Sequence, residues 1–285
     1  MPVVKVYNNG LTCGNPPMVN SHKRAKRGET SGWTKSASRS NTRFLYSVIP
    51  ERLTGDGFAF TFTVKILPDT PEDWEKLRQK LVKRLRRMGF VRLHWLTEWQ
   101  QRGVPHLHGV VFFPETLNVT QFASIVPHWL QAAAKYEPKE CGQDIKPITN
   151  TIGWLEYLSK HAARGVYHYQ RNGKPESWLK TGRMWGKSGE WETRMSEAEI
   201  SMNEFHRLRR MCRSWRIADS RKPKLSRVNG KRIRSARTCL QHKDKNLCTV
   251  LGVSEWIHQD LALSMLDWIK RNPEDPSPPC APSNP

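Results

Sequence analysis

The sequence predicts an α+β fold, an antiparallel sheet with helices on one face, in the order β-α-β-β-α-β-α. Three observations predict it. Phe58 to Val64 alternates aromatic with small polar residues, as a half-buried strand does. Trp74, Leu77, Leu81, Leu85 and Met88 recur at steps of three and four, the stripe of an amphipathic helix. Two strand-like segments, Phe90–Trp99 and His106–Phe113, flank the polar stretch Gln100–Pro105, as arms flank a hairpin turn.

The elements follow in order. Thr70 caps the first helix, Pro71 suits its first position, and Asp73 favours the positive end of the helix dipole. Gly89 ends it. A second helix spans Thr120 to Lys135, with Phe122, Ile125, Val126, Trp129, Leu130 and Ala133 at helical spacing. Pro127 kinks it or marks its true start. Asp144–Ile148 reads as a short strand. Thr151–Arg164 reads as a helix stopped at Gly165. The first six elements have the order of ferredoxin-like and RRM-like folds, and the last helix is an addition. Further on, Arg227–Arg234 reads as a basic hairpin with an Asn-Gly turn. Val253–Ile269 reads as an amphipathic helix.

The 285 residues carry a formal charge of +21, which points to a polyanionic partner and most simply to nucleic acid. The excess is concentrated. Fifteen Lys and Arg stand against two acids between Arg207 and Lys245, and seven stand against Glu29 between Lys23 and Arg43. The charge distribution divides the chain into a basic flexible N-terminal arm (1–50), a globular middle (51–170), a basic DNA-binding or docking extension (171–272) and a Pro-rich disordered tail (273–285). Arg207, Arg209, Arg210, Arg213, Arg227, Lys231, Arg232 and Arg234 are the candidate DNA-backbone contacts. No apolar run is long enough to span a membrane, and no leader pattern opens the chain. Six scattered cysteines without a CxxC argue against a zinc ribbon and for a reducing compartment, hence a cytoplasmic protein.

Chemistry concentrates in two segments. A hairpin centred near Arg102 sets Glu98 opposite His106, and the strand period of two sends His106 and His108 to the same face. Two imidazoles and a carboxylate then converge, a donor set for a divalent ion. The competing reading is a solvent-facing histidine pair with Glu98 as its charge partner. In the helix that follows, Tyr157 and Lys160 share a face. A phenol is a poor nucleophile at neutral pH, and a nearby ammonium and a metal-bound phosphate would offset this. Taken alone, Tyr157 reads as a helix tyrosine half-buried against the sheet. Gly182–Ser188 imitates a phosphate-binding loop but is one residue short between its glycines, so we read it as an ordinary loop.

Together these segments resemble the HUH endonuclease superfamily, and within it the rolling-circle replication initiators of filamentous-phage type. Phe60-Thr61-Phe62-Thr63 matches the first motif, Glu98 with His106-Leu107-His108 the second, and Tyr157-Leu-Ser-Lys160 the third. The resemblance covers about 58–165. It implies a metal-dependent, site-specific DNA endonuclease and strand transferase, with Mg²⁺ or Mn²⁺ held by Glu98, His106 and His108. Tyr157 would be the nucleophile, leaving a 5′-phosphotyrosine, and Lys160 would neutralise or orient the phosphate. Single-stranded origin DNA, a host helicase and polymerase, and a second copy of the chain are the implied partners. The single tyrosine leaves the second strand transfer to another protomer, to water, or to Tyr167 or Tyr169. A single-tyrosine transposase, a non-catalytic nucleic-acid-binding module and a structural zinc protein are the competing functions.

Overall fold

A computed structural model describes residues 1–14, 32–114, 117–159, 168–221, 229–238 and 250–273. They form strands β1 (Val3–Tyr7) and β2 (Gly10–Gly14), helix α1 (Lys35–Ser47), β3 (Asp56–Thr63), α2 (Pro71–Arg87), β4 (Arg92–Trp99) and β5 (Pro105–Phe113). Then come α3 (Val119–Ala132), β6 (Asp144–Pro147), α4 (Thr151–Leu158), α5 (Tyr169–Asn172), β7 (Trp185–Gly189) and β8 (Met195–Glu199). The last elements are α6 (Met202–Arg221), α7 (Gly230–Thr238), β9 (Val253–Glu255) and α8 (Gln259–Arg271). The chain divides into two units, Ala25–Thr193 and the pair of segments Met1–Arg24 and Arg194–Pro285. Each has its own antiparallel sheet.

In the larger unit the strand order is β6-β3-β5-β4-β7, every neighbouring pair antiparallel. The run from β3 to α4 keeps the element order read from the sequence. α2 starts where its caps predict: Thr70 Oγ1 accepts the Asp73 N–H at 3.1 Å, and Pro71 is the first helical residue. Gly89, with φ +86°, turns the chain out of it. α3 starts earlier than expected, at a capping box in which Asn118 and Gln121 satisfy each other's backbone N–H. Pro127 lies inside that helix instead of beginning it.

α2 and α3 cover one face of the sheet. Trp74 Nε1–H donates to Thr97 Oγ1 at 3.1 Å, and Trp129 Nε1–H donates to the Thr63 carbonyl at 3.0 Å. Phe62 is fully buried between Phe60 (4.9 Å) and Trp129 (5.4 Å). Phe62→Ala should therefore cost about 3–5 kcal/mol, the usual loss of an aromatic side chain plus its cavity. The fall in urea midpoint at an unchanged slope measures it.

Two expectations are corrected in this unit. The segment expected to be a flexible arm contains α1, which buries Asn41, Leu45 and Tyr46. The segment 182–188 is not wholly a loop: Trp185–Gly189 is β7, an edge strand paired with β4. The central sheet is thus five strands wide.

The smaller unit has the strand order β8-β1-β2-β9. β1 and β2 form a hairpin in which Tyr7 pairs with Gly10, leaving Asn8-Asn9 as a two-residue loop. Val4, Val6 and Leu11 of that hairpin pack in one core with Phe205, Leu208 and Met211 of α6 and with Ile257, Met265 and Ile269. The first fourteen residues are therefore half of a sheet, not an arm. Nor is the basic extension a simple appendage: its residues 185–189 are β7 of the larger unit, and β8, α6, β9 and α8 fold on β1 and β2. Cys13 and Cys212 lie in this core as free thiols, and burial pushes both up to about 12. The expected Asn-Gly hairpin at 229–230 is instead a helix start, where Asn229 Oδ1 accepts the Arg232 N–H at 3.0 Å. Asn caps helices as readily as it makes turns. Val253–Ile269 opens as strand β9 before helix α8. Residues 274–285 of the Pro-rich tail lie outside the described residues.

Candidate active site

The β4–β5 hairpin builds the site. Gly103, with φ +75°, closes the turn, and the Gln100 N–H bonds the Val104 carbonyl at 2.9 Å. This fixes a register in which Glu98 faces His106 and Leu96 faces His108. Alternation then puts Glu98, His106 and His108 on the face opposite α2 and α3. Glu98 Oε2 lies 3.4 Å from His106 Nε2 and 3.3 Å from His108 Nε2. One ligand atom from each residue falls within 4.8 Å of the others, the one such cluster of three or more His, Cys, Asp or Glu among the described residues. Glu98 is 0% exposed and His108 6%.

A further residue orients the set. Thr61 on β3 pairs with His108, and its Oγ1 lies 2.8 Å from His108 Nδ1. Holding Nδ1 leaves Nε2 directed at Glu98 Oε2, 3.3 Å away. The sequence reading noted Thr61 only within a strand motif. The signal for its role was parity, since Thr61 and Thr63 fall on the face of their cross-strand partners His108 and His106.

α4 brings up the phenol. Asn150 caps it by accepting the Gly153 N–H at 2.9 Å, and Leu155 and Leu158 are its buried residues. Tyr157 is left 41% exposed, with its ring edge-to-face against His108 (5.9 Å) and Trp154 (5.4 Å). Lys146 Nζ sits 5.4 Å from the Trp154 ring, a cation beside the approach to the phenol. The structure thus brings Tyr157, Glu98, His106 and His108 together. Lys160, Tyr167 and Arg227 lie outside the described residues.

Sequence reasoning missed a buried polar chain beneath α4. Asn41 of α1 donates to the Leu158 carbonyl at 2.9 Å, and its Oδ1 lies 2.8 Å from His94 Nε2, which donates to it. Asn41 thereby anchors the residue next to Tyr157 to strand β4. Burial, reinforced by Lys187, pushes the His94 imidazole down to about 3, so it is neutral in the folded protein. Between its ordinary value of 6.5 and 3, the unfolded chain binds a proton that the folded chain does not. Stability is therefore full above pH 6.5 and is lost as the pH falls, by ~2 kcal/mol between pH 7 and pH 5. Urea midpoints at the two pH values should show that loss, and His94→Gln should remove it.

The basic candidates divide. Arg207 and Arg209 are buried: Arg207 donates to the Ile269 carbonyl (3.0 Å) and Arg209 to the Leu251 carbonyl (2.6 Å). Their assignment as DNA contacts is corrected, because both guanidinium groups serve as internal cross-links. Arg232 pairs with Asp219 and sits over Trp215. Arg210, Lys231 and Arg234 are exposed, and Arg213 is half-buried.

Residues 58–162 match the family model for the replication-associated protein ORF2/G2P. Over its length the chain is similar to the replication-associated protein G2P of Pseudomonas phage Pf3, at 42% identity over 95% of the chain and 98% of the relative. Two proteins of Xylella fastidiosa, each provisionally described as a replication protein, are comparably similar. The one from strain Temecula1 is 43% identical over 90% of the chain and 99% of the relative. The one from strain 9a5c is 41% identical over 93% and 95%. No solved structure matches the chain.

Proposed function

This chain belongs to the replication-associated protein ORF2/G2P family, and from that premise we propose that it initiates rolling-circle replication as an HUH-type strand transferase. It would nick single-stranded origin DNA, hold the end as a 5′-phosphotyrosine and rejoin it. The observation that carries this reading is the edge-on approach of the exposed Tyr157 ring to His108, one of three clustered ligand side chains.

The donor set fits a divalent cation. Adjacent ligands at ~2.1 Å from an ion lie ~3 Å apart, close to the 3.3 and 3.4 Å separations between Glu98 and the two imidazoles. The carboxylate oxygen suits Mg²⁺ and the imidazoles suit Mn²⁺. Bound by Glu98, His106 and His108, the ion would polarise the scissile phosphate. Tyr157 Oη would attack phosphorus, its proton passing to solvent; the O–P bond to tyrosine forms as the P–O3′ bond breaks, and the leaving oxygen takes a proton from solvent to become a 3′-OH. Lys160, three residues on, offsets the charge of the phosphate. The phosphotyrosine retains the bond energy, so attack by a 3′-OH reverses the step without ATP.

The free 3′-OH is a primer for a host polymerase, and a host helicase supplies the unwinding. A second copy of the chain is one source of the second nucleophile. Arg210, Arg213, Lys231 and Arg234 grip the phosphate backbone from the smaller unit. No helix of the described residues is long and apolar enough to cross a membrane. The setting we propose is the cytoplasm of a bacterial host.

The test is incubation with single-stranded origin DNA and Mn²⁺, followed by mapping of the DNA-linked peptide. The adduct should lie on Tyr157. No adduct, or an adduct on Tyr167 or Tyr169, overturns the assignment.

A further inference from the structure

Beside the ligand cluster lies a second feature that the strand-transfer reading does not use. A cleft of about 550 Å³ is lined by Trp99 at the end of β4, by Gln100, Gln101 and Arg102 of the β4–β5 turn, by His106, and by Tyr169 and Gln170 of α5. We infer that this cleft binds the base of a nucleotide flanking the scissile phosphate, an inference that rests on the reading above.

His106 supplies the position. It is both a member of the ligand cluster and part of the cleft wall, so a phosphate held at the cluster has its neighbouring nucleotide at the cleft mouth. The volume suits one nucleotide. The lining then decides which part of the nucleotide enters. Arg102 is the cationic side chain of the lining, and three of its five N–H donors are committed: Nε to Gln100 Oε1 (2.8 Å), one terminal nitrogen to the Lys65 carbonyl (2.7 Å) and the other to the Val64 carbonyl (2.5 Å). These bonds stiffen the turn. What remains is the exposed ring of Tyr169, the buried Trp99 and three glutamine side chains. Tyr169 stacks on His168 (4.8 Å between centroids, 26° between planes) and is still 40% exposed, which leaves ring surface for a stacked base. Gln101 carries both donors and an acceptor, and the amide nitrogens of Gln100 and Gln170 add donors, a match to a base edge, while Gln100 Oε1 is taken by Arg102.

The probe is the tightest-bound of a set of single-stranded oligonucleotides tiled across the genome that encodes the chain, remade with one abasic position at a time. Equilibrium binding and the rate of covalent adduct formation are both read. In the wild-type chain, one position flanking the cut should carry an abasic penalty of roughly ten- to a hundredfold in binding. Tyr169→Ala should weaken binding of the intact oligonucleotide by a similar factor and be indifferent to that abasic position. Tyr169→Phe should keep the abasic penalty, because the ring remains. Gln101→Ala, at an exposed turn residue, should change the preference among the four bases there. Penalties that multiply with Tyr169→Ala at every position overturn the inference. So does a Tyr169→Phe chain that loses the penalty, since the hydroxyl would then be the active group. An unaltered base preference in Gln101→Ala does the same. A wild-type chain that forms no adduct overturns strand transfer, while the binding arm still judges the cleft.

Discussion

Tyr157→Phe is expected to abolish covalent attachment to DNA, cutting adduct formation by at least about a thousandfold, with single-strand binding retained. The substitution removes one oxygen and keeps the ring. That ring's contacts, His108 at 5.9 Å and Trp154 at 5.4 Å, remain available to phenylalanine. Because Tyr157 is 41% exposed, the fold should lose no more than ~0.5 kcal/mol. Gel-resolved adducts on radiolabelled single-stranded DNA, run beside a melting curve, measure both. A chain whose role is only to bind nucleic acid would make no adduct in either form. A Tyr157→Phe chain that still becomes linked to DNA would place the nucleophile elsewhere.

Much of the larger unit was readable because its signals are local. α2 carries its start in Thr70-Pro71, its buried stripe at 74, 77, 81 and 85, and its stop in Gly89. The pairing of Glu98 with His106 follows from the turn position alone. What stayed hidden depends on partners far away in the chain. β1 and β2 look like a short apolar start until β8 and β9, from beyond residue 194, complete their sheet. β8 itself, Met195–Glu199, is rich in Glu and Ala, residues of low strand propensity. α1 is built from Ser, Thr, Asn and Arg, and the value of Asn41 appears only when Leu158 and His94 are set against it. The basic count misled for a related reason. Charge per segment records Arg207 and Arg209 as cations for a polyanion, whereas each donates to a backbone carbonyl inside its unit. Composition sees the guanidinium and not the acceptor.

Glu98→Gln carries the other large expected effect, and it separates a catalytic cation from a structural one. The carboxylate is fully buried with Oε2 within 3.4 Å of both imidazoles, so it is the one anionic member of a three-residue donor set. Glutamine keeps the shape and removes the charge that offsets a dication. In the wild-type chain, Mn²⁺ at a hundred times its dissociation constant should raise stability by ~2.7 kcal/mol, seen as an upward shift in Tm. Glu98→Gln should show no such shift and should lose adduct formation by at least about a thousandfold. In chelator the comparison should equalise. The carboxylate keeps its two imidazole partners at 3.3 and 3.4 Å, and the variant's amide oxygen can accept from the same imidazoles, so Glu98→Gln should lie within about 1 kcal/mol of the wild type in stability. Both proteins should retain native near-ultraviolet circular dichroism in chelator, because the sheet beneath the site is held by the packing of Phe62, Trp74 and Trp129 and not by an ion. A structural metal predicts the opposite, a wild-type chain that unfolds when the ion is removed. Such unfolding would assign Glu98, His106 and His108 to the architecture and leave Tyr157 without the charge stabilisation that strand transfer requires.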